Sequence, residues 1–174
     1  AGQDSGDNFG FSVSEAGDVN GDGFDDFVVG AIYHENSGSK AGRGYVVFGQ
    51  GAAVGSQLNV AGLNGSNGFV VDGESAQDQL GLSVSSAGDV NGDGFDDVIF
   101  GSYHAANGAK SGRSYVVFGK EDAFTTPFLL SSLDGSNGFF MNGLSESDQL
   151  GWVGSGAGDI NGDGVDDVVV GARA

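Results

Sequence analysis

Cysteine is absent from this chain, proline occurs once, and six Lys and Arg stand against 24 Asp and Glu. Each shortage excludes something. Without cysteine there is neither a disulfide framework nor a thiolate metal site, although the redox compartment stays open because secreted proteins can also lack cysteine. A single proline and the lack of a Gly-X-Y period rule out a collagen-like or proline-rich disordered chain. The formal net charge of −18 repels a phosphate backbone and disfavours an anionic membrane surface, so nucleic acid is not an expected partner. No run approaches the ~20 apolar residues that span a bilayer, so membrane insertion is not expected. The opening Ala1, Gly2, Gln3 and Asp4 show no basic region followed by an apolar run; any signal peptide has been removed or lies upstream. There is no nucleophile elbow, phosphate-binding glycine loop or histidine-rich cluster, and catalysis is not expected.

What the chain does have is 35 Gly, 13 Phe and 39% apolar residues, enough to pack a core around many turns. Self-similarity organises it. The segments GDVNGDGFDD at Gly17 to Asp26, GDVNGDGFDD at Gly88 to Asp97 and GDINGDGVDD at Gly158 to Asp167 recur at steps of 71 and 70 residues. GYVVFG at Gly44 and SYVVFG at Ser114, and NGFVVDG at Asn67 and NGFFMNG at Asn137, keep the same step. Residues 1–174 thus read as one repeat region with units at about 9–79, 80–149 and a partial 150–174. The one-residue slip falls between Asp26 and Tyr45, around HENSGSKAGR, and marks a surface loop.

Within a unit, Phe9 to Gly17, Phe27 to Ala31, Tyr45 to Phe48 and Phe69 to Val71 are short, β-branched or aromatic runs bounded by Gly and Asn, which predicts four strands. No window of helical length shows 3.6-residue periodicity, so the expected fold is all-β, with four-stranded antiparallel sheets arranged radially as propeller-type blades.

The Asp-rich segments carry the chemistry. Numbering each from its first ligand, Asp18, Asn20, Asp22, Phe24 and Asp26 occupy positions one, three, five, seven and nine. The second segment repeats them as Asp89, Asn91, Asp93, Phe95 and Asp97, and the third as Asp159, Asn161, Asp163, Val165 and Asp167. Ca²⁺ is a hard cation that takes six to eight oxygens, and alternate side chains in a tight turn can face one centre. Position seven needs only its backbone carbonyl, which explains why Phe and Val exchange there. An EF-hand is excluded because position twelve is Val29, Phe100 or Val170 rather than a bidentate acid, and strands rather than helices follow. Mg²⁺ fits less well, since it demands a tighter octahedron. Turn formation alone would explain one such segment, but four acids in nine residues, repeated three times, call for a cation. Three Ca²⁺ sites are therefore expected. Asp25, Asp96 and Asp166 at position eight are expected to be merely solvated.

Each unit resembles an FG-GAP repeat of the integrin alpha-chain N-terminal propeller. Phe9-Gly10, Leu80-Gly81 and Leu150-Gly151 stand where the family has its Phe-Gly pair, the DxNxDGxxD loop follows, and Gly30-Ala31-Ile32, Gly101-Ser102-Tyr103 and Gly171-Ala172-Arg173 stand for Gly-Ala-Pro without the Pro. The resemblance implies a seven-bladed propeller with structural calcium between the first two strands of a blade, away from the usual ligand surface. About two and a half repeats cannot close a ring alone, which points to a piece of a longer protein or, second, to a filament or closed oligomer. The expected role is an extracellular or cell-surface protein for adhesion or surface assembly, with a protein partner or self-association. Loops with Asn at position three suit the high calcium outside cells. The alternatives are a glycan-binding, lectin-like propeller and a non-catalytic repeat region of a secreted enzyme.

Other residues are read more plainly. His34 and His104, taken as equivalent, and the Lys40 to Arg43 and Lys110 to Arg113 segments read as loops whose bases offset nearby Asp. Trp152 reads as core and Met141 as filler. Asn64-Gly65-Ser66 reads as a turn rather than a glycosylation site.

Overall fold

The computed structural model describes residues 6–35, 37–51, 58–104 and 110–173. The β-branched and aromatic runs form ten strands: β1 (Phe9–Gly17), β2 (Asp26–Ala31), β3 (Arg43–Val47), β4 (Gly68–Asp72), β5 (Ser83–Gly88), β6 (Asp97–Ser102), β7 (Arg113–Val117), β8 (Gly138–Asn142), β9 (Val153–Gly158) and β10 (Asp167–Gly171). They make antiparallel sheets in the orders β1-β2-β3-β4 and β5-β6-β7-β8, with β9 and β10 forming a two-stranded sheet. The only helical pieces among the described residues are short 3₁₀ turns at Val60–Gly62 and Leu130–Ser132, and no helix is long and apolar enough to cross a membrane. The architecture is all-β, built of propeller-type blades that do not close a ring.

Successive sheets meet along their first strands, β1 against β5 and β5 against β9. The pairing of each first strand slips near its end, between Glu15 and Gly17, between Ser86 and Gly88, and opposite Val168 in the third sheet. Such a bulge turns the chain out of the sheet, and the Asp-rich segment follows it directly. All three segments thereby sit in the connection between the first and second strand of a sheet.

The largest core lies between the first two sheets, where Val28, Val46, Phe69, Leu80 and Phe100 are fully buried. The Phe69 and Phe124 rings stack there with centroids 4.1 Å apart. Fully burying such a side chain stabilises by about 1.5–3 kcal/mol. A smaller cluster of Ala87, Ile99 and Val116 joins the second sheet to Val168 and Val170 of the third. Met141 packs against this cluster.

Candidate metal centres

Each Asp-rich loop folds around its own side chains. In the first, Asp18 Oδ1 and Asn20 Oδ1 both accept the Asp22 N–H, at 3.0 and 3.1 Å. Asp18 Oδ2 accepts from Gly23 N at 2.9 Å, and Asp22 Oδ1 accepts from Phe24 N at 3.0 Å. Gly23 takes a φ of +86°, which a Cβ would strain. The second loop repeats the pattern, with Asp89 Oδ1 and Asn91 Oδ1 on Asp93 N at 3.0 and 2.9 Å. So does the third, with Asp159 Oδ1 and Asn161 Oδ1 on Asp163 N at 3.1 and 2.8 Å. The side-chain oxygens of positions one and three therefore meet at one point in every loop, beside the carboxylate of position five.

Position nine does a different job. Asp26 is buried and accepts from Val19 N at 2.9 Å and Gly49 N at 2.7 Å, which ties the loop to the chain after β3. Asp97 accepts from Val90 N at 3.0 Å and Gly119 N at 2.9 Å in the same way. Burial pushes the carboxyl of Asp26 up to about 6 and that of Asp97 up to about 7; the backbone donors pull down, and the neighbouring Asp22 and Asp18, or Asp93 and Asp89, push up further. Asp167 accepts from Ile160 N at 2.9 Å. Each oxygen of a carboxylate has two lone pairs, so these bonds leave capacity for a cation.

Among the described residues, no loop acid pairs with Lys, Arg or His; the basic side chains that meet an acid are Arg43 on Asp72 and Arg113 on Glu74, and His34 is hydrogen-bonded to Asp7. No three His, Cys, Asp or Glu side chains among the described residues gather closely enough to hold a metal. Binding a cation therefore requires the three carboxylates of a loop to draw in around it, together with the amide and backbone oxygens. That mixed set suits a hard cation with many oxygen ligands.

Position eight differs from its expected solvated state. Asp96 Oδ2 accepts the backbone N–H of Asp18 at 2.8 Å, and Asp96 N donates back to Asp18 O at 3.2 Å. Asp166 makes the same pair with Asp89, at 3.0 Å in both directions. These two aspartates are latches that clasp the start of the preceding loop. Gly17 and Gly88 make room for them: a Cβ would fall 2.2 Å from Asp96 Oδ2 and 2.1 Å from Asp166 Oδ2. Beside each latch, Phe95 lies over Gly21 and Val165 over Gly92. Asp25, at the same position in the first loop, is exposed as expected.

His34 and His104 are not equivalent. His34 is buried with Nδ1 3.1 Å from Asp7 Oδ2, whereas His104 is half-buried against Tyr103, and burial and Lys110 hold it below the usual imidazole range. The first unit has one more residue before its histidine, Gly30-Ala31-Ile32-Tyr33-His34 against Gly101-Ser102-Tyr103-His104. The two arginines are structural ties across strand pairs: Arg43 joins Asp72, and Arg113 joins Asn142 at 2.7 Å and Glu74 at 3.0 Å. Lys40 lies over the Tyr33 ring at 4.8 Å. Trp152, expected in the core, instead lines a cleft of about 430 Å³ with Tyr103, His104, Ser147, Gln149 and Arg173, whose guanidinium sits 4.5 Å over the indole. Asn64 and Asp134 form matching turns onto Ser66 N and Ser136 N at 3.0 and 2.9 Å.

Comparison with known proteins agrees with this repeat design. Residues 9–47 and 80–117 match the FG-GAP repeat model. The chain is 31% identical over 167 residues to integrin alpha pat-2 of Caenorhabditis elegans, and 32% identical over 167 residues to integrin alpha-4 of Xenopus laevis. Each alignment covers 94% of this chain but only 13% and 14% of the relative, so the chain spans about a seventh of the proteins it matches. Integrin alpha-2 of Mus musculus is 36% identical over 94 residues, 54% of this chain and 8% of its own. With the repeated four-stranded sheets and their Asp-rich first connections, these matches identify residues 9–47 and 80–117 as FG-GAP repeats.

Proposed function

We propose that the chain is a calcium-stabilised segment of an extracellular or cell-surface propeller that serves adhesion or surface assembly and does no catalysis. The observation that carries this reading is the convergence, three times over, of the oxygens of positions one and three beside the carboxylate of position five. Asp18, Asn20, Asp22, the Phe24 carbonyl and Asp26 hold the first ion. Asp89, Asn91, Asp93, the Phe95 carbonyl and Asp97 hold the second, and Asp159, Asn161, Asp163, the Val165 carbonyl and Asp167 the third. The cation supplies positive charge to acids that have no basic partner among the described residues. Its role is structural: binding to the folded state alone stabilises by mass action, about 2.7 kcal/mol at a hundredfold excess over Kd. Likeness to integrin alpha chains supports the surface location and a protein partner.

The test is calcium stoichiometry by equilibrium dialysis with thermal melts. Asp22→Ala, Asp93→Ala and Asp163→Ala each remove about one bound Ca²⁺ and lower the melting temperature in calcium. Unchanged stoichiometry in all three overturns the reading.

A second reading, glycan binding, is favoured by the Trp152 cleft. Its indole and the Tyr103 ring offer apolar faces to a sugar, and Arg173 offers a fork for a carboxylate. Trp152 is the chain's single tryptophan, so its fluorescence reports directly on titration with acidic and neutral sugars. A signal that persists in Arg173→Ala for neutral sugars but is lost for acidic ones assigns that role to the arginine.

A further inference from the structure

Neighbouring Asp-rich loops are tied together at two levels. At the opening of the first loop, Asp96 Oδ2 accepts the Asp18 N–H at 2.8 Å and Asp96 N donates back to Asp18 O. Asp166 holds Asp89 in the same way. At the closing end, two consecutive residues after β7 reach to different loops: Gly119 N donates to Asp97 Oδ1 at 2.9 Å, and Lys120 N donates to Val19 O at 2.9 Å. Val19 N in turn donates to Asp26 Oδ2 at 2.9 Å. The ninth positions of the first two loops are thus linked through Gly119, Lys120 and Val19.

We infer that neighbouring metal centres are coupled, so that filling one raises the affinity of the next, with Asp96 and Asp166 as the positioning residues. This rests on the calcium reading of the loops. Asp96 stands between two proposed ligands of the second centre, the Phe95 carbonyl and Asp97, and Asp166 stands between the Val165 carbonyl and Asp167. The carboxylates of a loop must draw in to hold an ion, so an ion in the second loop fixes the residues on both sides of Asp96. Asp96 then holds the backbone of Asp18, the first ligand of the first centre. Fixing backbone is costly in entropy, and a loop already ordered by its neighbour binds more tightly. By linkage the effect is mutual: an ion in the first loop tightens the second by the same factor.

Charge acts in the opposite direction. The acids of one loop attract an ion to the next, and an ion bound among them cancels that attraction. Packed sheets stand about 10 Å apart and the Debye length at physiological salt is about 8 Å, so screening removes most of this effect and leaves the hydrogen bonds intact. The coupling is therefore positive at physiological salt and shrinks as salt is lowered.

Calorimetric titration of the full chain with calcium at physiological salt tests this. Asp163→Ala leaves the first and second centres. Asp93→Ala with Asp163→Ala leaves the first alone, and Asp22→Ala with Asp163→Ala leaves the second alone. The product of the two stepwise association constants in Asp163→Ala is expected to exceed the product of the two single-centre constants by about tenfold or more. Adding Asp96→Ala to each background removes most of that excess, whereas Asp96→Asn, which keeps a side-chain oxygen for the Asp18 N–H, retains most of it. A purely structural role for Asp96 would weaken all three titrations and leave their ratio unchanged. The first three titrations decide the coupling even where Asp96→Ala fails to fold. A ratio of one in Asp163→Ala overturns the inference and leaves the calcium reading intact, as does an excess that Asp96→Ala does not reduce. A chain that takes up no calcium in any background overturns both.

Discussion

The first and second loops contain the same ten residues and differ in what they touch. Inside each loop the bonds agree closely: Asp18 Oδ2 accepts Gly23 N at 2.9 Å, and Asp89 Oδ2 accepts Gly94 N at 2.8 Å. Outside, Asp96 clasps Asp18 while Asp25 is exposed, and Phe95 is half-buried while Phe24 is exposed. Loop conformation therefore follows from local sequence, through side chains that bond backbone two to five residues away. The work of positions seven and eight is assigned by the neighbouring sheet.

The largest effect that sharpens this contrast lies in the glycines. Gly88 and Gly158 open equivalent loops with φ of +73° and +68°, so an alanine pays the same left-handed penalty of roughly 1–2 kcal/mol at either place. Only at Gly88 does the added Cβ meet a neighbour, Asp166, whose latch it displaces. Gly88→Ala should lose about 1–3 kcal/mol more than Gly158→Ala in urea denaturation under chelator. Equal losses would mean that the latch contributes nothing.

The latch itself comes next. Asp96→Ala leaves the Asp18 N–H without its acceptor and should cost about 1–2 kcal/mol, while Asp25→Ala should leave stability unchanged. Both are measured in chelator, so that any change in calcium affinity does not enter. A comparable loss from Asp25→Ala would place that side chain in a contact within the chain.

Much of this was legible in the residues. The β-branched runs marked the first eight strands and the two of the third sheet to within a few residues, because each run is short, bounded by turn formers and buried on the side that packs. The loop interiors were legible too, since Asp and Asn at alternate positions bond locally. Position eight was not: Asp96 and its partner Asp18 lie 78 residues apart, and an aspartate at the end of a turn looks solvated from sequence. A signal was present all the same, in an aspartate kept in all three loops beside a position seven that changes from Phe to Val. The pairing of His34 with His104 failed for another reason. The inserted residue shifts the chain after β2, which brings His34 to Asp7 and leaves His104 on Tyr103.

The smallest expected effect separates backbone from side chain at position seven. Val165 stands there in the third loop, so Phe→Val keeps the carbonyl proposed to face calcium and removes only ring contacts. Phe95 is half-buried over Gly21 and Gly119, and Phe95→Val should cost about 1 kcal/mol in urea denaturation. Phe24→Val, on an exposed ring, should cost less than half as much. Both variants should bind as many calcium ions as the parent by equilibrium dialysis. A lost ion in either would show that the ring, by shaping the loop, helps to set the site, and position seven would then act through more than its carbonyl.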